Sequence, residues 1–219
     1  MDDKHLRQFF SRVAPQYDQC ALERIGYIAH LNLPRRLIEL AKAAPLSPEI
    51  PQVLDLACGT GLSAELYFQE GWQVTGIDFS AGMLDIARGR PFKALHCQSI
   101  EEDLPVADNA FDLVSALGAT EFIKVPAALF RRIGQKLKEG GLCGFTLAKP
   151  SDNDSELGII SYPLDDYLRF INKEQFKVVE IMEFFGWESG HLAEVDGEPG
   201  RPRYRIEYNA VILQKRPEA

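Results

Sequence analysis

Between residues 52 and 149 short apolar runs alternate with helical stretches, and this alternation restricts the fold more than any other feature of the chain. The runs VLDLA (53–57), WQVTGID (72–78), FKALHC (92–97), FDLVSAL (111–117) and LCGFTLA (142–148) have strand length, and the first ends in glycines. Residues 61–70, 80–88 and 126–138 carry helical periodicity between them. Strands alternating with helices predict parallel β-α-β units with helices on both faces of one sheet. The preceding part reads as helices: Leu6, Phe9, Phe10 and Val13 recur at helical spacing until Pro15, Leu22, Ile25 and Ile28 follow, and residues 35–44 resume after Pro34. After Lys149-Pro150 come a polar loop, SDNDSE, a helix candidate around 164–171, and two long strand-like runs, FKVVEIMEFFGW and RYRIEYNAVILQK. The turn-rich EVDGEPGRP between them makes the pair an antiparallel hairpin with an extended connection.

The expected fold is therefore α/β, doubly wound, with a mostly parallel seven-stranded sheet closed by an antiparallel C-terminal pair and preceded by a helical extension. A chain of 219 residues has room for one such domain. Residues 1–51 would form a helical cap, 52–149 the ligand-binding core and 150–219 a substrate-side segment with the closing hairpin. A composition that is 46% hydrophobic and 26% charged excludes disorder and fibre. The 24 Lys and Arg against 32 Asp and Glu leave a charge of −8 with no strong basic run, so nucleic acid is not an expected partner. Cys20, Cys58, Cys97 and Cys143 have no CxxC spacing, which predicts reduced thiols, no metal cluster and no disulfide framework. The N-terminus lacks an apolar leader and no stretch is long and apolar enough to span a bilayer, so a soluble cytoplasmic protein with no membrane partner is expected.

The richest segment is Val53 through Gly61, VLDLACGTG, a strand that runs into glycines and then a helix start. Such a turn lets a ligand lie directly against the main chain. The second strand ends at Asp78, 78 − 61 = 17 residues after the last glycine, where an acid can accept hydrogen bonds from both ribose hydroxyls of an adenosine ligand. Gly59 to Ala64 also satisfies the permissive GxGxxA dinucleotide form, so NAD enters as an alternative. Asp55 decides against it: a carboxylate just ahead of the loop would repel a pyrophosphate and favour an ammonium. A phosphate-free, cationic nucleoside, S-adenosylmethionine, fits an acid at each end of the loop. No Gly-Lys-Ser/Thr follows, which excludes a Walker-type site.

At these residues the chain resembles the class I S-adenosylmethionine-dependent methyltransferases, which have a Rossmann-like fold. VLDLACGTG is similar to the family's first motif, VTGIDFSAGML to its second, FDLVSALGATEFI to its fourth-strand motif and LKEGGLCGFTLA to its fifth. The resemblance implies a cofactor site built from Asp55, Ala57, Cys58, Gly59, Thr60 and Gly61 in the loop, Asp78, Phe79, Ser80 and Met83 after the second strand, and Ala116 and Leu117 after the fourth. FFSRVAPQYDQ resembles the N-terminal lid of small-molecule members, whose tyrosine, here Tyr17, reaches over the cofactor. Two departures stand out. Ala57 replaces the usual first glycine, and CQSIEEDLP offers Ser99 and Ile100 where many members carry an Asp beside the adenine.

The same residues carry structural readings. Ser80 is a good N-cap, Cys58 a packing thiol and Tyr17 a half-buried anchor. Family members place substrate-facing groups at the position of Glu121. Were the acceptor a hydroxyl, Glu121 or His191 would take its proton. Arg203 and Arg205 lie in the C-terminal section, where a substrate wall could form, and Tyr162, Tyr167, Phe184, Phe185 and Trp187 could line an apolar acceptor pocket. The Asp/Asn-Pro-Pro-Tyr/Phe loop of amine and base methyltransferases is missing; Ala116 to Thr120 stands there instead. That points to a small-molecule acceptor, with S-adenosylhomocysteine as product. The alternatives are an NAD(P)-dependent oxidoreductase and a non-catalytic binding module of the same fold. Oligomeric state has no signature in the sequence.

Overall fold

The computed structural model describes residues 3–25, 28–43, 49–150, 160–173, 175–188 and 205–217. Seven strands form one sheet: β1 (Gln52–Leu56), β2 (Gln73–Asp78), β3 (Ala94–Cys97), β4 (Phe111–Ala116), β5 (Leu137–Ala148), β6 (Phe176–Glu188) and β7 (Arg205–Lys215), in the order β3-β2-β1-β4-β5-β7-β6. The first five are mutually parallel, with Val53 beside both Val74 and Leu113. β7 runs antiparallel to β5, from Leu142 opposite Gln214 to Ala148 opposite Tyr208, and β6 closes the edge antiparallel to β7. Every expected strand is present. β5 begins five residues earlier than its apolar run, at Leu137, because Leu137 pairs with Phe111 before a register irregularity passes over residues 138–141 and pairing resumes at Leu142 opposite Leu113.

Helices cover both faces. α2 (Ala29–Ala43) and α3 (Glu65–Gln69) bury Leu33, Leu37 and Tyr67 against Val53, Val74 and Ile212 on one side. α5 (Pro126–Lys136) and α6 (Leu164–Leu168) pack Phe130, Ile133 and Tyr167 against Val114, Phe145 and Val211 on the other. Central strands covered on both sides are buried on both: all six residues of β4 (FDLVSA) are buried, where Asp112 accepts from Gln52 N–H and from Lys138, and Ser115 donates to Asp55. Among the described residues no helix is long and apolar enough to cross a membrane.

The helical preface differs from its sequence pattern. α1 (Asp3–Gln19) runs through Pro15, and α2 runs through Pro34, where breaks were expected. Proline removes one intrahelical hydrogen bond and is costly in mid-helix, but burial on either side outweighs it here: Val13 and Ala14 pack on Met83, and Pro34 is itself buried beside Leu33. A π-helical turn, Cys20–Ile25, follows α1 directly. α1 crosses α4 (Ala81–Ala87) at the outer side of the sheet.

Candidate cofactor and active site

In an open α/β sheet a ligand crevice forms outside the carboxyl ends of the strands where the strand order reverses, here between β1 and β4. A cleft with about 780 Å³ of empty space, part of it open to solvent, lies there. Ala57 and Gly59 follow β1, Asp78 and Phe79 close β2, Ser99 and Ile100 follow β3, and Leu117 follows β4, all on its wall. The chain leaves β1 through left-handed backbone at Ala57 (φ 55°), Gly59 (φ 54°) and Gly61 (φ 88°). Gly61 admits no side chain: a Cβ there would stand 2.6 Å from the Phe92 ring and 2.7 Å from Arg90 Cδ. Ala57 bears the αL conformation without glycine's freedom, which costs about 1–2 kcal/mol.

Asp78 is 4% exposed, and backbone holds both its oxygens: Gly59 N–H donates to Oδ2 and Ser80 N–H to Oδ1, each at 2.8 Å. Each oxygen keeps a lone pair for a further donor. Burial raises the Asp78 pKa, and the two backbone donors oppose that. Ser80 caps α4 by accepting from Met83 N–H at 3.3 Å, so the acid and the helix start are positioned together. Met83 reaches the cleft wall as well.

Asp55 does not line the cleft. It lies beneath the loop, 1% exposed, with Ser63 Oγ donating to Oδ2 and Ser115 Oγ to Oδ1, both at 2.8 Å. Burial pushes its pKa up to about 6, with the two hydroxyls opposing and the Asp78 charge adding. Through Ser63 and Ser115, Asp55 ties the glycine loop to β4. Five more expected residues sit off the wall. Cys58 fills the space over Gly76 with its thiol 2.7 Å from where that Cβ would be, and burial raises its pKa well above the ordinary thiol value, so it packs as a thiol. Thr60 donates its hydroxyl to Asp18 Oδ1 at 2.5 Å, Ser80 is committed to the cap, and Ala116 is fully buried in β4. Gly61 likewise shapes the turn without lining the cleft.

Tyr17 is on the wall, together with Leu6 and Phe10 of the same helix. Burial, and after it the charges of Asp18, Glu121 and Asp78, hold its phenol protonated. Leu6, Phe10, Glu101, Gly118, Ala119, Phe122 and Ile123 complete the wall and were not singled out from the sequence. Phe10 stands 6.1 Å from both Phe79 and Phe122, ring centre to ring centre, an aromatic lining whose members are far apart in sequence. The helical spacing of Leu6, Phe10 and Val13 was the available signal, though it equally describes a core-facing helix.

Glu121 lies in a short 3₁₀ turn, Thr120–Phe122, and is 3% exposed. Tyr208 O–H donates to its Oε1 at 3.0 Å, while Oε2 is buried with no hydrogen-bond partner among the described residues. Burial pushes its pKa up to about 7, against the opposing pull of its own backbone N–H and of Tyr208. Tyr162 and Tyr167 pack with Phe170 in the aromatic cluster under α6, and Tyr167 is fully buried there. His191, Arg203 and the side chains of Phe184, Phe185, Trp187 and Arg205 lie outside the described residues.

The wall suits an S-adenosyl cofactor. It presents a buried carboxylate with free lone pairs, bare main chain at Gly59 and Gly118, apolar faces at Phe79, Ile100 and Leu117, and the carboxylates of Asp78 and Glu101 with no cation among the described lining residues. A diphosphate would meet like charge there; a sulfonium and an ammonium would not.

Residues 54–145 match a family described as a methyltransferase domain. The chain is similar to a ubiquinone biosynthesis O-methyltransferase of Sodalis glossinidius, 28% identical over 174 residues that make up 73% of this chain and 69% of the relative. Across the curated relatives it matches, the chain spans from 47% to 69% of their length. Among solved structures it resembles the (4+2)-cyclase SpnF, with a TM-score of 0.69, 21% identity and 96% of each chain covered. It also resembles a geranyl diphosphate C-methyltransferase of Streptomyces coelicolor in complex with S-adenosyl-L-homocysteine, with a TM-score of 0.63, 15% identity, and 83% of this chain and 76% of that one covered. At these identities the two structures bear on the fold alone.

Proposed function

We propose that the chain is a class I S-adenosylmethionine-dependent methyltransferase that transfers a methyl group from that cofactor to a small-molecule acceptor, a reading supported by the methyltransferase-domain match over residues 54–145 and by the O-methyltransferase relative. The observation that carries this reading is the buried Asp78 carboxylate at the carboxyl end of β2, aligned by two backbone N–H groups, in a cleft whose described lining has acids and no cation. Asp78 would accept the ribose hydroxyls. Phe79, Ile100 and Leu117 would enclose the adenine, with the Ser99 hydroxyl at its edge, and the main chain at Ala57 and Gly59 would border the amino-acid part.

Bound S-adenosylmethionine supplies a methyl group on a sulfonium that is already a good leaving group. The chain's task is therefore alignment and exclusion of water more than activation. α1 serves both ends by laying Phe10 and Tyr17 along the cleft. For a hydroxyl acceptor, Glu121 is the proposed base: it is buried beside the wall residue Phe122 without itself lining the cleft, it is close enough to Tyr17 for its charge to be felt there, and its Oε2, which has no hydrogen-bond partner among the described residues, can take a proton. The O-methyltransferase relative supports an oxygen acceptor. Four free cysteines fit a reducing compartment, and the cytoplasm is part of the proposal.

Calorimetric titration with S-adenosylhomocysteine and with NADH tests the cofactor assignment, and release of S-adenosylhomocysteine over a panel of hydroxylated small molecules tests turnover. Micromolar binding of S-adenosylhomocysteine with no measurable NADH binding is expected, together with acceptor-dependent turnover. Tighter binding of NADH would overturn the assignment. Normal cofactor binding without turnover on any acceptor would leave a binding module or, as in the fold neighbour SpnF, a different reaction.

A further inference from the structure

α1 forms one wall of the cleft through Leu6, Phe10 and Tyr17, so a shift of this helix would widen the way in and out for a nucleoside-sized ligand. Two attachments hold it down. Midway along, the hydroxyls of Ser11 and Ser80 share a hydrogen bond at 2.9 Å, and the Ser11 backbone comes so close to α4 that a Cβ on Gly82 would stand 2.9 Å from it. Near the C-terminal end the attachment is ionic. Arg90 donates from Nη2 to Asp18 Oδ2 at 2.6 Å, from Nε to the Thr60 carbonyl at 2.9 Å and from Nη1 to Glu65 Oε2 at 2.7 Å. The other Asp18 oxygen accepts the Thr60 hydroxyl at 2.5 Å. One guanidinium thus joins the covering helix, the glycine loop and the start of α3, using all three of its nitrogens in a planar arrangement that lysine cannot reproduce.

Two features give this cluster a role beyond stability. It is partly exposed, with Arg90 at 22% and Asp18 at 29%, a setting in which ion pairs add little to folding and are weakened by salt. And the chain leaves α-helical geometry immediately past it, at the π-helical turn Cys20–Ile25, a wide and rare form that recurs at functional positions and offers a place to bend. We propose that Arg90 is a latch that holds α1 closed on the glycine loop, with the π-helical turn as its hinge, so that release of the S-adenosyl product is gated by opening of the Arg90–Asp18 pair. Arg90 is a positioning residue, since it lies off the cleft wall and acts through Asp18 and Thr60. The identity of the ligand rests on the methyl-transfer reading.

The test is the rate of S-adenosylhomocysteine dissociation from the full chain, followed by stopped-flow fluorescence alongside melting temperature. Arg90→Ala and Asp18→Asn are each expected to speed dissociation about three- to tenfold. The double variant should be no faster than the faster single one, because both break the same pair. Arg90→Lys should restore little, as the fork is lost. Wild-type dissociation should quicken with salt, and Asp18→Asn should abolish that dependence. Lys136→Ala, which breaks a remote pair with Asp108, should leave the rate unchanged. Unaltered dissociation in Asp18→Asn, a shape-conserving change, would overturn the latch even if Arg90→Ala failed to fold. Equal acceleration by Lys136→Ala would do the same by exposing a general loss of stability. Failure of the wild type to bind S-adenosylhomocysteine would instead overturn the methyl-transfer reading, and the latch with it.

Discussion

At the scale of single residues, two buried carboxylates are positioned for opposite tasks. Asp78 has both oxygens aligned by backbone donors and spare lone pairs facing the cleft. Asp78→Asn keeps its size, removes the charge and turns one acceptor into a donor that faces an N–H. We expect it to weaken S-adenosylhomocysteine binding by about 1–3 kcal/mol in calorimetry. Binding within twofold of wild type would contradict the ribose role. Glu121 has one oxygen satisfied by Tyr208 and one with no described partner, and its pKa of about 7 suits a base working near neutrality. A base must be deprotonated to act, so the rate on a hydroxyl acceptor should rise with pH through about 7. In Glu121→Gln that rise should vanish and kcat fall about a hundredfold or more, with cofactor affinity unchanged. A pH profile of the variant that keeps the wild-type limb would assign the proton to another group. Asp55 was read from the sequence as a ligand-facing acid, and the structure turns it under the loop. Its strand face follows from alternation with Leu54 and Leu56, but the Ser63 and Ser115 hydroxyls that meet it there come from other elements and are not legible from its own strand.

At the scale of elements, α1 is the part whose sequence is least conclusive. Its apolar spacing describes a helix correctly, yet Pro15 argues for a break that packing on α4 overrides. The crossing depends on Gly82. A methyl there would press on Ser11 Cα and its carbonyl, both backbone atoms at 2.9 Å, so one helix must move. Gly82→Ala should therefore loosen α1 while sparing the sheet: amide exchange should accelerate in residues 3–19 and stay unchanged in β1 and β4. Uniform acceleration across the chain would mean that the crossing supports the whole domain. The outer strand β6 leaves Val178, Val179 and Ile181 exposed, with Lys177, Glu180 and Glu183 interleaved. Charges on an edge strand discourage pairing with another chain, and Glu180 is further held by Arg36 of α2 at 2.8 Å.

At the scale of the whole molecule, burial of acids makes stability pH-dependent in a definite direction. Asp55 and Glu121 bind protons more tightly folded than unfolded, at about 6 and about 7 against ordinary values of 3.8 and 4.5. Their contribution is fully present below the ordinary values and is lost as pH rises through about 6 and about 7, on the order of 3 kcal/mol for each. Urea midpoints should accordingly fall as pH rises from about 4 to about 7 and level off above that. Glu121→Gln should flatten the upper part of that fall, and a slope equal to wild type would deny Glu121 its raised pKa. The alternation of apolar runs and helical segments determined the parallel core, the hairpin at its edge and the position of the glycine loop, because strand and helix periods are local properties that burial on both faces reinforces. What lines the cleft was decided by tertiary structure. Phe10 meets Phe79 and Phe122, Tyr208 meets Glu121, and Arg90 meets Asp18 across 72 positions of chain. Such pairings follow from how elements are stacked and which faces they turn inward, and no spacing within a single element encodes them.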